Sequence, residues 1–191
     1  VIYNKSEVTI EPGVTMLVGC NGAGKTTLIH HMKNELRRAK IPNTWYCNLI
    51  HGQSSAKQAA LQKADYDTLA ALVTGSEGEQ ISLNLGQFSA EIGQFVRKHK
   101  NESEMWIFLD AIDSGLSIDN ILELTEGLFP LILEDNSNSE VYIIASANSF
   151  EMARNSKCLD VYSCKYIEFR DYEVYRKFIL KSRGIKDKRY K

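Results

Sequence analysis

The nine residues Gly19–Thr27, reading G-C-N-G-A-G-K-T-T, constrain this chain more than any other stretch. They fit the pattern G-x-x-x-x-G-K-[ST] at Gly19, Gly24, Lys25 and Thr26, a spacing suited to holding a polyphosphate. Across Asn21, Gly22 and Ala23, successive backbone N–H groups can turn inward and form a concave anion nest. A helix opening near Gly24 adds the positive end of its dipole at the same place. Lys25 would reach the β- and γ-phosphates, the Thr26 hydroxyl would ligate Mg²⁺, and Thr27 completes the motif.

So short a pattern needs the right flanks. Val14-Thr15-Met16-Leu17-Val18 is apolar and β-rich, as a buried strand must be. After the loop, Leu28, Ile29, Met32 and Leu36 recur at helical spacing over residues 25–39, and Pro42 stops the helix. Strand, glycine turn and helix together make ATP, or another nucleoside triphosphate, the expected ligand.

The rest of the chain reads as strands alternating with helices. A short strand is expected at Val8–Ile10, before the turn Glu11-Pro12-Gly13, and a second buried strand at 44–50. Residues 54–74 are a helical patch interrupted at Asp65-Tyr66-Asp67, Gly75–Gln80 is a polar turn, and 81–99 is a long helix. Then come a strand at Met105–Leu109, a helix at 118–134, a strand at Val141–Ala145 and a short helix at 150–155. A hairpin, Leu159–Ser163 with Tyr166–Phe169, and an amphipathic helix at 171–182 close the order. This alternation predicts an α/β fold, a mostly parallel central sheet flanked by helices. Its 191 residues suit a single domain, 1–191, with a small helical insertion at about 54–100. Nucleotides bind at the carboxyl ends of strands in such folds.

Composition narrows the partners. A net charge of −1 predicts no bulk attraction to nucleic acid or lipid, and no apolar run reaches transmembrane length. Cys20, Cys47, Cys158 and Cys164 lack C-x-x-C spacing and read as thiols of a reducing cytoplasm. His30 and His31 have no metal-ligand companions nearby. Six basic residues from Lys181 to Lys191 read as a solvated tail, with a nucleic-acid contact as the alternative.

Met105-Trp106-Ile107-Phe108-Leu109 ends in Asp110, an apolar strand delivering one carboxylate toward the phosphate loop, where it would hold Mg²⁺. The run L-D-A-I-D-S-G-L-S at 109–117 resembles the L-D-E-P-T-S-G-L-D segment of ABC-type ATPases. G-x-N-G-x-G-K-T-T at 19–27 is the form of phosphate loop that those proteins share with SMC-like and RecF-like ATPases. C-L-D-V-Y-S-C-K-Y-I-E-F at 158–169 resembles their closing hairpin, and the chain is also similar to small phage-encoded ATP-binding proteins.

That resemblance implies a P-loop NTPase that binds Mg-ATP between two head-to-tail copies. Each site would take a Ser-Gly turn from the partner. Ser76-Glu77-Gly78-Glu79 is the better match, through Ser76 and Gly78, and Leu83-Asn84-Leu85-Gly86-Gln87 is the rival. Ser114-Gly115-Leu116 would touch the partner, Gln53 would link Mg²⁺ to the helical segment, and Tyr3 would stack on adenine.

The departures matter equally. The glutamate that normally follows the strand aspartate is Ala111, and a methyl group accepts no proton. The switch histidine is replaced by Asn148, which cannot titrate near neutral pH. Asn148 could still hydrogen-bond the γ-phosphate or water. Either hydrolysis is slow and ATP serves as a switch, or Asp113 stands in for the missing glutamate. A stand-alone ATP-dependent dimer acting in DNA-related or phage–host processes is the leading expectation. A nucleotide-gated binding protein and a transporter subunit are the alternatives.

Overall fold

Alternation along the strands explains the architecture. Met16 and Val18, Ile107 and Leu109, and Val141, Ile143 and Ala145 point to one face of the sheet. Leu17, Phe108, Tyr142 and Ile144 point to the other. Both faces are apolar, so both must be covered, which is the signature of a parallel sheet between helical layers. The computed structural model describes residues 8–41, 43–48, 77–154 and 156–189.

The strands are β1 (Gly13–Val18), β2 (Thr44–Asn48), β3 (Glu104–Asp110), β4 (Glu140–Ser146), β5 (Lys157–Asp160) and β6 (Lys165–Ile167). They form one six-stranded sheet in the order β2-β3-β4-β1-β5-β6. All neighbours pair in parallel except β6, which closes antiparallel on β5 as the expected hairpin. β1 therefore lies beside β4, not beside β3, an order that local sequence pattern does not encode.

Helix α1 (Lys25–Arg38) covers one face with Leu28, Ile29 and Leu36. On this side the Trp106 and Tyr142 rings stack with centroids 3.9 Å apart and planes within 3°. Helix α2 (Glu77–Lys98) covers the opposite face with Phe88, Ile92 and Val96. The part of the expected insertion within the described residues is thus a layer of the main core. Residues 49–76, with their expected helical patch, lie outside the described residues.

The expected helix 118–134 divides into α3 (Ile118–Leu122), a π-helical turn (Glu123–Leu128) and α4 (Phe129–Asp135). Pro130 explains the change of winding: it has no N–H to give, and Phe129 donates instead to the Leu124 carbonyl five residues back. Helix α5 (Phe150–Ala153) is capped by Ser149, whose Oγ accepts from the Met152 N–H.

Three expectations need correction. The turn expected at Gly75–Gln80 is helical from Glu77 on, where α2 begins. Val8–Ile10 forms no strand, although Val8 and Ile10 pack beside α1; Pro12 lacks the N–H that would carry pairing upstream from β1. The basic C-terminal stretch is no loose tail. Helix α6 runs from Tyr172 to Arg189, and Ser182 within it is only 2% exposed. None of the four cysteines is in a disulfide, and burial pushes Cys47 up to about 11 and Cys158 up to about 12. No helix among the described residues is long and apolar enough to cross a membrane.

Candidate phosphate site

The parallel register brings the ends of β1, β3 and β4 to one edge of the sheet. Leu17 lies opposite Ser146, and Leu109 opposite Ala145. The loop leaving β1 therefore opens beside Asp110 and Asn148.

Two glycines make the loop possible. Gly24 caps α1 at φ +107, a left-handed conformation costly for any residue with a Cβ. Gly19 sits at φ +154, where an added Cβ would fall 2.9 Å from Ala23 Cβ and 3.0 Å from Val161 Cγ2. The first intrahelical bond is from Leu28 N–H to the Gly24 carbonyl, and no side chain caps the helix. The N–H groups of Lys25, Thr26 and Thr27 are thus donors that α1 does not satisfy internally, as an anion nest requires.

Lys25 is buried, with Nζ donating to Gly19 O at 2.8 Å, Asn148 Oδ1 at 2.8 Å and Cys20 O at 3.4 Å. Those contacts hold the ammonium beside the loop, where an arriving phosphate would exchange for some of them. Burial lowers its pKa below the usual lysine range, with Cys20, Asp113 and Asp110 pulling the other way.

Asp110 is 2% exposed. Its Oδ1 accepts from Ser146 Oγ at 2.5 Å and from Thr26 Oγ1 at 3.2 Å. Ser146 was not legible as a site residue from sequence. It stands on β4 between β1 and β3, and its Oγ also accepts the Ala111 N–H at 2.8 Å. The available signal was a hydroxyl ending an otherwise apolar strand. Ala111 itself has φ +53, so the backbone turns sharply just after Asp110.

The residues present suit Mg²⁺. A hydroxyl and a carboxylate oxygen 3.2 Å apart match neighbouring corners of an octahedron whose bonds are about 2.1 Å long. Thr26 and Asp110 would hold the ion, and phosphate and water oxygens would complete its shell.

Asp113 does not reach toward Asp110. Its Oδ2 accepts from the N–H groups of Asn148 at 2.6 Å and Ser149 at 2.5 Å, tying the turn after β3 to the turn after β4. Its Oδ1 is buried and makes no hydrogen bond among the described residues. Asn148 is held from a second side, where Tyr175 OH donates to its carbonyl at 2.6 Å. Burial holds the Tyr175 hydroxyl well above the usual tyrosine range, so it stays a donor.

Tyr3, Gln53 and Ser76 lie outside the described residues. Gly78 falls in the first turn of α2. The rival turn Leu83–Gln87 lies inside α2, so it opens no helix.

Comparison with known proteins agrees with this geometry. The family model described as "ATPase family associated with various cellular activities (AAA)" matches residues 15–159, from β1 through β5. A solved structure entitled "crystal structure of DNA replication initiation factor" is similar over 72% of this chain and 32% of that one, at 16% identity and a TM-score of 0.36. The chain thus spans about a third of that protein's length, and a likeness this distant carries no functional argument. No curated protein matches the chain. The matched span contains the phosphate loop, Asp110 and Asn148, and the chain belongs to the AAA family of ATPases.

Proposed function

We propose that this protein binds Mg-ATP at the loop 19–27, hydrolyses it slowly, and uses the bound nucleotide as a switch that joins two copies head to tail. One observation carries the reading: Lys25, Thr26, Asp110 and Asn148 converge at the edge of the sheet in a hydrogen-bonded set, while Ala111 offers only a methyl group. The binding machinery is intact where the usual base is missing. Loss of a general base costs about 10²–10⁴-fold in rate.

In this reading Lys25 and the loop N–H groups bind the β- and γ-phosphates. Asn148 Oδ1 accepts from Lys25, and its Nδ2 would donate to phosphate or to the attacking water. Asp113 accepts one backbone bond from Asn148 and one from Ser149, so its contribution is positional. The competing reading makes Asp113 the base, supported by its unbonded Oδ1. Pairing is supported by the likeness of Leu109–Ser117 to the ABC-type segment and by the exposed turn Ser114-Gly115, with Gly115 at φ +78. Gly78 at the start of α2 would then face the partner's phosphates. DNA-related or phage–host work rests on the likeness to small phage-encoded proteins alone.

The test follows oligomeric state with and without Mg-ATP, together with phosphate release, for the native chain, Lys25→Ala and Asp113→Asn. ATP-dependent dimers with negligible turnover are expected. Fast turnover abolished by Asp113→Asn would transfer the base role to Asp113. A monomer indifferent to ATP would end the pairing proposal.

The metal assignment has its own check. Asp110→Asn keeps an acceptor for Ser146 but loses the charge that would hold Mg²⁺. Titrating ATP with and without Mg²⁺ should show a gain from the metal reduced by about tenfold, the worth of one charge-assisted contact. An unchanged gain would remove Asp110 from the metal site.

A further inference from the structure

The C-terminal helix touches both halves of the phosphate site. Its start is anchored by aromatic packing: Tyr175 meets Phe169 edge-on at 5.1 Å, and Phe178 lies 5.2 Å from Phe169. Residues 175, 179, 182 and 186 recur at i, i+4, i+7 and i+11, one stripe of the helix. Tyr175 donates to the Asn148 carbonyl, and Ile179 packs against the hydrophobic cores on both sides of the sheet. The stripe turns polar where it meets the phosphate loop. Ser182 Oγ accepts the Cys20 N–H at 3.0 Å, a buried bond between residues 162 positions apart. One turn on, Lys186 Nζ donates to the Asn21 carbonyl at 3.3 Å, and its Cδ lies 3.4 Å from where a Cβ on Gly22 would stand.

The same bonds act on the parts that would grip phosphate. Ser182 fixes the direction of one loop N–H, and Lys186 satisfies the carbonyl of the next residue. Lys186 also brings a second positive charge beside the loop, with Asp187 Oδ1 3.9 Å from its Nζ. Tyr175 holds the carbonyl of the residue whose side chain meets Lys25.

We propose that α6 is part of the nucleotide site: Tyr175, Ser182 and Lys186 are positioning residues that hold the loop and Asn148 in register, and nucleotide occupancy is coupled to the docking of the C-terminal end of α6. This rests on the phosphate loop binding a nucleoside triphosphate. Coupling is reciprocal, so whatever tightens the loop on phosphate also tightens α6 on the loop. The outer end of α6 thereby carries the state of the site to the molecular surface.

The test titrates the full chain and its Ser182→Ala, Lys186→Ala, Lys186→Arg and Lys25→Ala variants with a fluorescent ATP analogue. Amide exchange across residues 180–189 is followed with and without Mg-ATP. Ser182→Ala and Lys186→Ala should each weaken binding by about fivefold or more, and Lys186→Arg should restore it. Mg-ATP should slow exchange in α6 of the native chain and not in Lys25→Ala. Ser182 is buried; if its variant does not fold, the Lys186 pair decides. Native affinity in the alanine variants, or α6 exchange indifferent to ATP in a chain that binds it, overturns the proposal. A purely structural role would give that first result, lowering the melting temperature alone. Failure of the native chain to bind ATP would overturn the site reading and this one together.

Discussion

Replacing Lys25 by methionine should abolish triphosphate binding without lowering the melting temperature of the nucleotide-free protein. The ammonium is the buried cation of the loop, held by Gly19, Cys20 and Asn148 at the point where phosphate charge would arrive. Charge-assisted bonds contribute about 1.5–3 kcal/mol each, so losing two to phosphate weakens binding by on the order of 10²-fold or more. The fold behaves oppositely because desolvation is the largest influence on Lys25 and lowers its pKa. A lysine whose folded pKa is lowered costs stability in full below that pKa, where both folded and unfolded states are protonated. The cost fades as pH rises through the folded value toward the ordinary 10.5. The methionine variant should therefore melt at or above the native temperature at neutral pH, and the difference should shrink as pH approaches 10.5. A variant that melts well below the native protein, or that still binds ATP, would contradict this account. Such a trade, function held at the expense of stability, is common where a site needs a buried charge.

Gly19→Ala should be the most damaging single methyl group in the loop. The new Cβ would meet Ala23 Cβ at 2.9 Å and Val161 Cγ2 at 3.0 Å, at a φ of +154. Neither contact can be relieved by swinging the end of a long side chain. Overpacking costs about 1–3 kcal/mol, and a disfavoured backbone conformation adds roughly 1–3 kcal/mol. For a chain of this size each kcal/mol lowers Tm by about 2–4 °C, so a fall of roughly 4–24 °C is expected. ATP binding should disappear with it, because Gly19 also supplies the carbonyl that holds Lys25. Gly22→Ala is the control: its Cβ would meet only Lys186 Cδ, at 3.4 Å, so it should cost less despite its own positive φ. Thermal melting of the two variants side by side checks the ranking; equal losses would show that backbone strain, not crowding, governs the loop.

Where sequence and structure agree, the reason is local chemistry. Glycines at fixed spacing, an apolar strand before them and a helical repeat after them leave one arrangement for residues 13–38, and β1, the loop and α1 follow it. Asp110 was legible because a charge ending a buried strand needs a purpose, and Thr26 does meet it. Asn148 was legible from its place after β4, and Lys25 bonds to it. Asp113 is close to Asp110 in sequence, but that its Oδ2 holds the Asn148 and Ser149 N–H groups is visible only in the structure. The charge density of the basic C-terminus is visible in sequence, but the long-range contacts of Ser182 and Lys186 that dock it are not.

By itself, then, the amino-acid sequence determined the phosphate loop, the parallel α/β class and the identity of the residues at its edge. Each depends on contacts within about one helical turn or one strand, where residue type and spacing suffice. Only the tertiary structure decided that β4 separates β1 from β3, placing Ser146 against the Asp110 oxygen that Thr26 also meets. It alone brought Ser182 and Lys186 against a loop some 160 residues earlier. Such pairings are chosen by which apolar faces bury together across the whole sheet, and no local pattern records that choice.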